Sequence, residues 1–181
     1  MSLRKLAVMS VLVALSIVFT MFIKIPFPPA PFLVYEPGDV PILFGGLLFG
    51  PLAALVMTVT ASVLMGFVVP SGGVFGVIMH IIATGLLTVI PAFLYKGTLK
   101  SARMGLVLGA LAMSLVMPIL NVILNPIFYG MPREAVVKLL VPAIIPFNFS
   151  KAFLNAFIVA VLLPRLQPWW IRNLAGVVKQ H

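Results

Sequence analysis

Polar side chains interrupt the last long apolar run of the chain, in the stretch PFNFSKAFLNAF. At 100° per residue, Asn148, Lys151 and Asn155 lie within about 60° of one another on one helical face. A lysine inside a membrane-spanning helix is costly, so it either faces an interior cavity or extends its amine to the interface. The flanking amides favour the cavity, because reaching the interface requires no amide neighbours. The pattern therefore predicts a ligand-facing stripe.

Three further polar residues lie in two earlier apolar runs. Asn121 is either a ligand contact or a hydrogen-bonding partner of another helix, as asparagines commonly are in membranes. Asn125 is predicted to cap the end of its helix, because Pro126 disfavours helical backbone in the preceding residue. His80, which has Gly76 on the same helical face, is either a packing partner or a ligand contact.

The stretch Ile23–Pro41 contains six of the sixteen prolines and separates two apolar runs. Proline is excluded from helix interiors and central strands, so this stretch is predicted to be an ordered loop. Phe32 and Tyr35 could cover a planar ligand whose edge is bound by the asparagine amides. Glu36 and Asp39 either cap the following helix or hold the loop closed.

The composition is that of an integral membrane protein. Hydrophobic residues make up 62% of the 181 residues and charged residues 8%, whereas about a quarter of the residues of soluble domains are charged. The formal charge of +9 arises from basic residues between apolar runs, which set membrane topology and do not form a nucleic-acid-binding face. The lack of cysteine excludes disulfide scaffolds and thiolate metal sites.

The elements that position these residues are predicted to be six transmembrane helices in one membrane domain, residues 1–181. A helix needs about 20 residues to cross the hydrocarbon core, so the second segment is short for a span. The first segment is longer than a signal-peptide core and no A-x-A site follows, so it is predicted to be retained. The predicted spans are residues 3–23, 40–49, 52–69, 74–95, 104–124 and 144–163.

Lysine and arginine near the ends of the spans predict the orientation. With the N-terminus inside, eight basic residues lie inside and three outside, which favours two cytoplasmic termini. The proline-rich stretch and the polar helix faces then meet on the outer side, in a pocket open to the outside. The inner residues are Arg4, Lys5, Lys96, Lys100, Arg103, Arg165, Arg172 and Lys179, and the outer residues are Lys24, Arg133 and Lys138.

The sequence contains no motif of a nucleotide hydrolase, a zinc protease or a serine hydrolase. We therefore expect no enzyme activity, no bound metal and no cofactor. A binding protein without an energy source needs a partner that supplies one. Ala7, Ser10 and Ala14 form a small-residue face on the first helix, which either docks on such a partner or packs within the bundle.

Four features resemble one family of membrane proteins: the small-residue first helix and the segments LVYEPGDVP, GGLLFGP and PFNFSKAFLN. They resemble the S components of energy-coupling-factor (ECF) vitamin transporters, specifically the riboflavin-binding type. The resemblance covers nearly the whole chain. It implies a six-helix subunit of the prokaryotic plasma membrane that captures riboflavin, and also FMN, from outside. Such a subunit works with a transmembrane coupling protein and two cytoplasmic ATPases, and the small face of the first helix contacts the coupling protein.

The family's N-x-x-K motif matches Asn148 and Lys151, and its loop tyrosine matches Tyr35. Its asparagine late in the fifth helix matches Asn121 or Asn125. The alternatives are an S component for another vitamin or heterocycle, and an autonomous permease. The complete set of predicted ligand-binding residues is Asn148, Lys151, Asn121, Tyr35, His80, Gly76, Asn125, Asn155 and Phe32.

Overall fold

The computed structural model describes residues 2–68 and 73–173, and it is mostly helical. Lys179, the segment 70–72 and the side chain of Phe32 lie outside the described part. The helices are α1 (Leu3–Phe22), α2 (Asp39–Phe49), α3 (Pro51–Val68), α4 (Gly73–Leu94), α5 (Leu99–Tyr129), α6 (Arg133–Leu139) and α7 (Ile145–Asn173). The strands are β1 (Ile25–Phe27) and β2 (Ala30–Tyr35), and a π-helical turn, Leu140–Ile144, joins α6 to α7.

Five helical segments in the described ranges are long and apolar enough to cross a membrane: Leu3–Phe22, Pro51–Val68, Gly73–Leu94, Leu99–Tyr129 and Arg133–Asn173. The remaining apolar helix, α2, has 11 residues. It is therefore about 16 Å long, roughly half of the hydrocarbon thickness. All of its residues are buried, so α2 is a core element of the bundle.

The helix α5 extends beyond the predicted span at both ends. The hydroxyl of Thr98 accepts a hydrogen bond from the backbone N–H of Ser101 at 3.2 Å and caps the start of the helix. The helix continues through Pro126 to Tyr129, so the prediction that Asn125 ends it is wrong. A proline removes only one backbone hydrogen bond, and membrane bundles tolerate it where neighbouring helices support the segment. The last helix also continues past the predicted end, through Pro164 and Pro168.

The proline-rich stretch contains a β-hairpin, where an ordered loop was predicted. Its strands β1 and β2 are antiparallel and pair Ile25 with Tyr35 and Pro26 with Val34. Both strands of a two-stranded sheet are edge strands, in which proline is tolerated. The prolines therefore excluded a helix and a central strand, but they did not exclude a hairpin.

The helices α4 and α5 approach each other closely at two glycines of α5. A Cβ atom at Gly105 would lie 2.8 Å from the Cα atom of Pro91, and one at Gly109 would lie 3.0 Å from the carbonyl oxygen of Leu87. These neighbours are backbone atoms, which cannot move aside as the end of a side chain can. Glycine is therefore required at this contact.

We expect Gly105→Ala to lower the midpoint of thermal unfolding in detergent, because overpacking a close contact costs about 1–3 kcal/mol. The matched control is Gly85→Ala in α4, where an added Cβ would meet no atom within 4 Å. Equal midpoints for the two variants would contradict the close α4–α5 contact.

Candidate functional site

A cavity of about 450 Å³ lies between the hairpin segment and helices α1, α3, α4, α5 and α7. Its volume is within the range of about 300–1,000 Å³ that is usual for small-molecule sites. The polar residues that line it are Thr20, Glu36, Ser62, His80, Asn121, Asn125, Tyr129, Asn148 and Lys151. The structure thus brings Asn121 and Asn125 together with Asn148 and Lys151 at one cavity, whereas Asn155 does not line it.

The α5 wall of the cavity contains Asn121 and Asn125, one helical turn apart. The Asn121 amide donates to the carbonyl oxygen of Met117 at 2.8 Å, and the Asn125 amide donates to Asn121 Oδ1 at 3.1 Å. Both residues are buried. Asn125 Oδ1 accepts no hydrogen bond from any described residue, so it is available to a donor in the cavity.

The α7 wall contains Asn148 and Lys151. The Asn148 amide donates to the carbonyl oxygen of Ile144, the last residue of the π-helical turn, at 2.8 Å. This bond fixes the side chain, while Asn148 Oδ1 accepts none from the described residues. Lys151 is half-buried and lines the cavity, and within residues 2–68 and 73–173 its amine forms no hydrogen bond and no ion pair.

Glu36, which follows β2, lines the cavity as well. Burial raises the pKa of its carboxyl, and the positive charges of Lys151 and Lys24 partly oppose that rise. Among the described residues that line the cavity, Lys151 and Glu36 therefore lie close enough for their charges to influence each other.

The α4 wall contains His80 and Gly76. The Nδ1 atom of His80 is 2.7 Å from the hydroxyl of Ser62, and its Nε2 atom is 3.5 Å from Asp39 Oδ1. The side chain remains 19% exposed. His80 thus both lines the cavity and contacts side chains of two neighbouring helices.

Tyr35 and Asn155 do not line the cavity, although both were predicted to bind the ligand. The Tyr35 hydroxyl donates to Asn155 Oδ1 at 2.8 Å, and the Asn155 amide donates to Asp39 Oδ2 at 3.0 Å. Burial, together with the negative charge of Asp39, raises the pKa of Tyr35 to about 12, so the hydroxyl stays protonated and donates. These residues form a polar network beside the cavity.

The centre of this network is Asp39, for which the sequence left open whether it caps the following helix or holds the loop closed. Asp39 is 1% exposed. It does not cap α2, because Gly38 occupies the N-cap position and the Asp39 oxygens accept hydrogen bonds from the side chains of Thr84 and Asn155. The Thr84 hydroxyl donates to Asp39 Oδ1 at 2.6 Å. The sequence did contain a signal for a buried polar network, because polar residues recur at a spacing of four. They are Thr58 and Ser62 on α3, and His80, Thr84 and Thr88 on α4.

The remaining cavity wall is apolar and aromatic. Phe75 packs against Tyr129 with ring centroids 4.7 Å apart, and Phe27 of the hairpin packs against Phe147 of α7 at 5.7 Å. The second contact joins the hairpin to the helix that carries Asn148. The methionines in the wall are Met65, Met79, Met113, Met117 and Met131.

On α1, the small residues Ala7, Ser10 and Ala14 are all exposed. This face does not pack against the other described helices. The structure therefore does not support the alternative that these small residues pack within the bundle. Exposed apolar residues surround it, among them Leu3, Val11 and Val18. The face is therefore accessible to lipid or to another membrane protein.

Comparison with known proteins identifies relatives along nearly the whole chain. The sequence model of the family described as "ECF transporter, substrate-specific component" matches residues 4–163. The chain is 30% identical to the riboflavin transporter FmnP of Bacillus subtilis, over 93% of this chain and 95% of that protein. It is also 30% identical to the riboflavin transporter RibU of Staphylococcus aureus, over 90% of each chain.

A solved structure, described as the S component of a bacterial ECF transporter, has the same fold. Its TM-score is 0.77 at 28% sequence identity, and the match covers 92% of this chain and 96% of that one. The family resemblance predicted from the sequence motifs is confirmed.

Proposed function

Because the chain belongs to the family of substrate-specific components of ECF transporters, we propose that it captures riboflavin from outside the cell and delivers it inward. It acts with a transmembrane coupling protein and two cytoplasmic ATPases, which are separate chains. The relatives named riboflavin transporters support this ligand. FMN, which shares the flavin ring, is a second ligand. The protein has a transport role, with riboflavin as its substrate and not as a cofactor.

The observation that carries this proposal is the cavity with amide and amine groups on two facing walls. The side chains of Asn125 and Asn148 present carbonyl oxygens that the described residues leave without a donor, and Lys151 presents an amine that forms no hydrogen bond or ion pair within the same residues. A flavin ring has both carbonyl oxygens and N–H groups along its polar edge, so it supplies acceptors for Lys151 and donors for the amide oxygens. The aromatic and methionine side chains contact its faces.

In the proposed topology α2 is the second and shortest of six crossings, the five long helical segments being the others, and both termini lie in the cytoplasm of a prokaryotic cell. The excess of basic residues on the inner side supports this orientation. It places the hairpin on the outer side, above the cavity, where Leu33 and Val34 of β2 form part of the lining. The hairpin then acts as a lid over the bound ligand.

Purified protein is expected to quench riboflavin fluorescence with a stoichiometry of one ligand per chain, because aromatic side chains contact the ring. Riboflavin and FMN are titrated by this quenching, whereas thiamine and biotin, which lack flavin fluorescence, are tested by thermal shift. Saturable quenching of riboflavin and FMN, with no thermal shift from thiamine or biotin, agrees with the proposal. The absence of quenching by riboflavin, or saturable binding of thiamine or biotin in a thermal-shift assay, would contradict the proposed ligand.

A further inference from the structure

Asp39 is a carboxylate placed where five elements of the fold meet. It starts α2, accepts hydrogen bonds from Thr84 of α4 and Asn155 of α7, and is 3.5 Å from His80 of α4. His80 in turn contacts Ser62 of α3, and Asn155 holds Tyr35 of β2. A buried carboxylate costs free energy even when it is paired, and apolar residues of similar volume are often at least as stabilising. Its presence therefore calls for a role other than stability.

The two carboxylate oxygens of Asp39 contact different parts of the structure. Oδ1 faces the Thr84 hydroxyl and the His80 ring, and His80 lines the cavity. Oδ2 accepts from Asn155, which holds the hairpin through Tyr35. One carboxylate thus fixes both a cavity wall and the strand above the cavity.

Tyr35 is the residue through which the Asp39–Asn155 hydrogen bond acts on the hairpin. Tyr35 pairs with Ile25 at the open end of the hairpin, next to the start of α2. Leu33, Val34 and Glu36, its neighbours in the chain, line the cavity, whereas Tyr35 does not. A bond on the Tyr35 hydroxyl therefore sets the position of the lid without using a ligand-facing side chain.

We propose that Asp39 is a positioning residue for riboflavin capture, which holds the hairpin closed through Asn155 and Tyr35 and orients His80 toward the cavity. This inference rests on the proposed function for its effect on the ligand. The position of the hairpin itself can be measured without any ligand. The proposed ligand and the proposed positioning role of Asp39 can therefore be disproved separately.

The test uses an exchange of the two polar partners. Asn155→Asp alone places two carboxylates at a contact of 3.0 Å, where they repel unless one takes up a proton. The double variant Asp39→Asn with Asn155→Asp keeps the three hydrogen bonds and reverses only the one between positions 39 and 155. The amide at position 39 donates to the carboxylate at 155, the carbonyl oxygen at 39 still accepts from Thr84, and the carboxylate at 155 accepts from Tyr35.

The first readout is the distance between the hairpin and α6 in ligand-free protein. The chain has no cysteine, so spin labels can be attached at Pro29→Cys in the hairpin turn and Glu134→Cys in α6, both of which are exposed positions. Double electron–electron resonance is expected to give a broader distance distribution for Asn155→Asp and Tyr35→Phe than for the parent. The exchanged pair is expected to restore the parent distribution.

The second readout is the rate of riboflavin dissociation by stopped-flow fluorescence. Loss of one hydrogen bond in Tyr35→Phe is expected to raise this rate roughly 3- to 10-fold, with an unchanged melting midpoint. Asn155→Asp is expected to raise it by more than roughly tenfold, and the exchanged pair to bring it back to within about twofold of the parent.

An exchanged pair that is as defective as Asn155→Asp alone would overturn the proposal. So would a Tyr35→Phe variant with the parent distance distribution, and this variant removes only a hydroxyl, so it tests the proposal even if Asn155→Asp does not fold. If the spin labels respond as expected and the parent protein fails to bind riboflavin, the positioning role stands and the proposed ligand is wrong.

Discussion

Lys151→Ala is expected to weaken riboflavin binding by about 1–3 kcal/mol, which is about 5- to 150-fold in Kd. Lys151 lines the cavity and has no hydrogen-bond or ion-pair partner among the described residues, so in the complex its amine is available to the ligand. Asn148→Ala is expected to have an effect in the same range, because it removes a buried amide that lines the cavity and whose Oδ1 accepts no hydrogen bond from the described residues. The fluorescence-quenching titration measures both.

Each variant has a control with the same side-chain chemistry at an exposed position outside the cavity lining. Lys138→Ala removes an exposed lysine of α6, and Asn173→Ala removes an exposed amide near the end of α7. Both controls are expected to bind riboflavin as the parent does. Parent-like affinity in Lys151→Ala and Asn148→Ala together would place the ligand outside this cavity.

The helices were predictable from the sequence because long apolar runs are separated by residues that break helices. The Gly50-Pro51 pair divides α2 from α3 at the expected place, since Gly50 has φ of 89°, a conformation that favours glycine. Within a long apolar run, however, a proline did not correctly predict where the helix ends. At Pro126 the helix continues, because packing in the bundle outweighs a local preference that sequence reasoning treats as decisive.

The cavity was predictable in part, for a similar reason. Helical periodicity places Asn121 and Asn125 on one face and Asn148 and Lys151 on another, and the structure brings both faces to one cavity. The partners of Tyr35 and Asp39 were not predictable. Their bonds to Asn155 join residues more than 100 positions apart, and no local pattern indicates which polar groups meet across a bundle.

Ala14→Phe is expected to abolish ATP-driven riboflavin uptake in cells or liposomes that contain the coupling protein and both ATPases, while riboflavin affinity stays at the parent value. Ala14 is exposed on the small-residue face of α1, and small residues permit the close approach of two helices. A phenyl ring at this position would hold the coupling protein away. Thr20, near the other end of α1, lines the cavity, whereas Ala14 does not, so riboflavin binding is not expected to depend on Ala14.

Two control variants test whether a loss of uptake in Ala14→Phe arises from the small-residue face of α1. Ala14→Ser keeps the side chain small and is expected to transport riboflavin. Leu115→Phe adds a ring at another exposed position, on α5, where Leu115 is 69% exposed. If Leu115→Phe transports and Ala14→Phe does not, the defect belongs to the α1 face and not to bulk on the membrane surface. Loss of riboflavin binding in Ala14→Phe would instead assign this face to the internal structure of the subunit, and uptake at the parent rate would place the coupling contact on another helix.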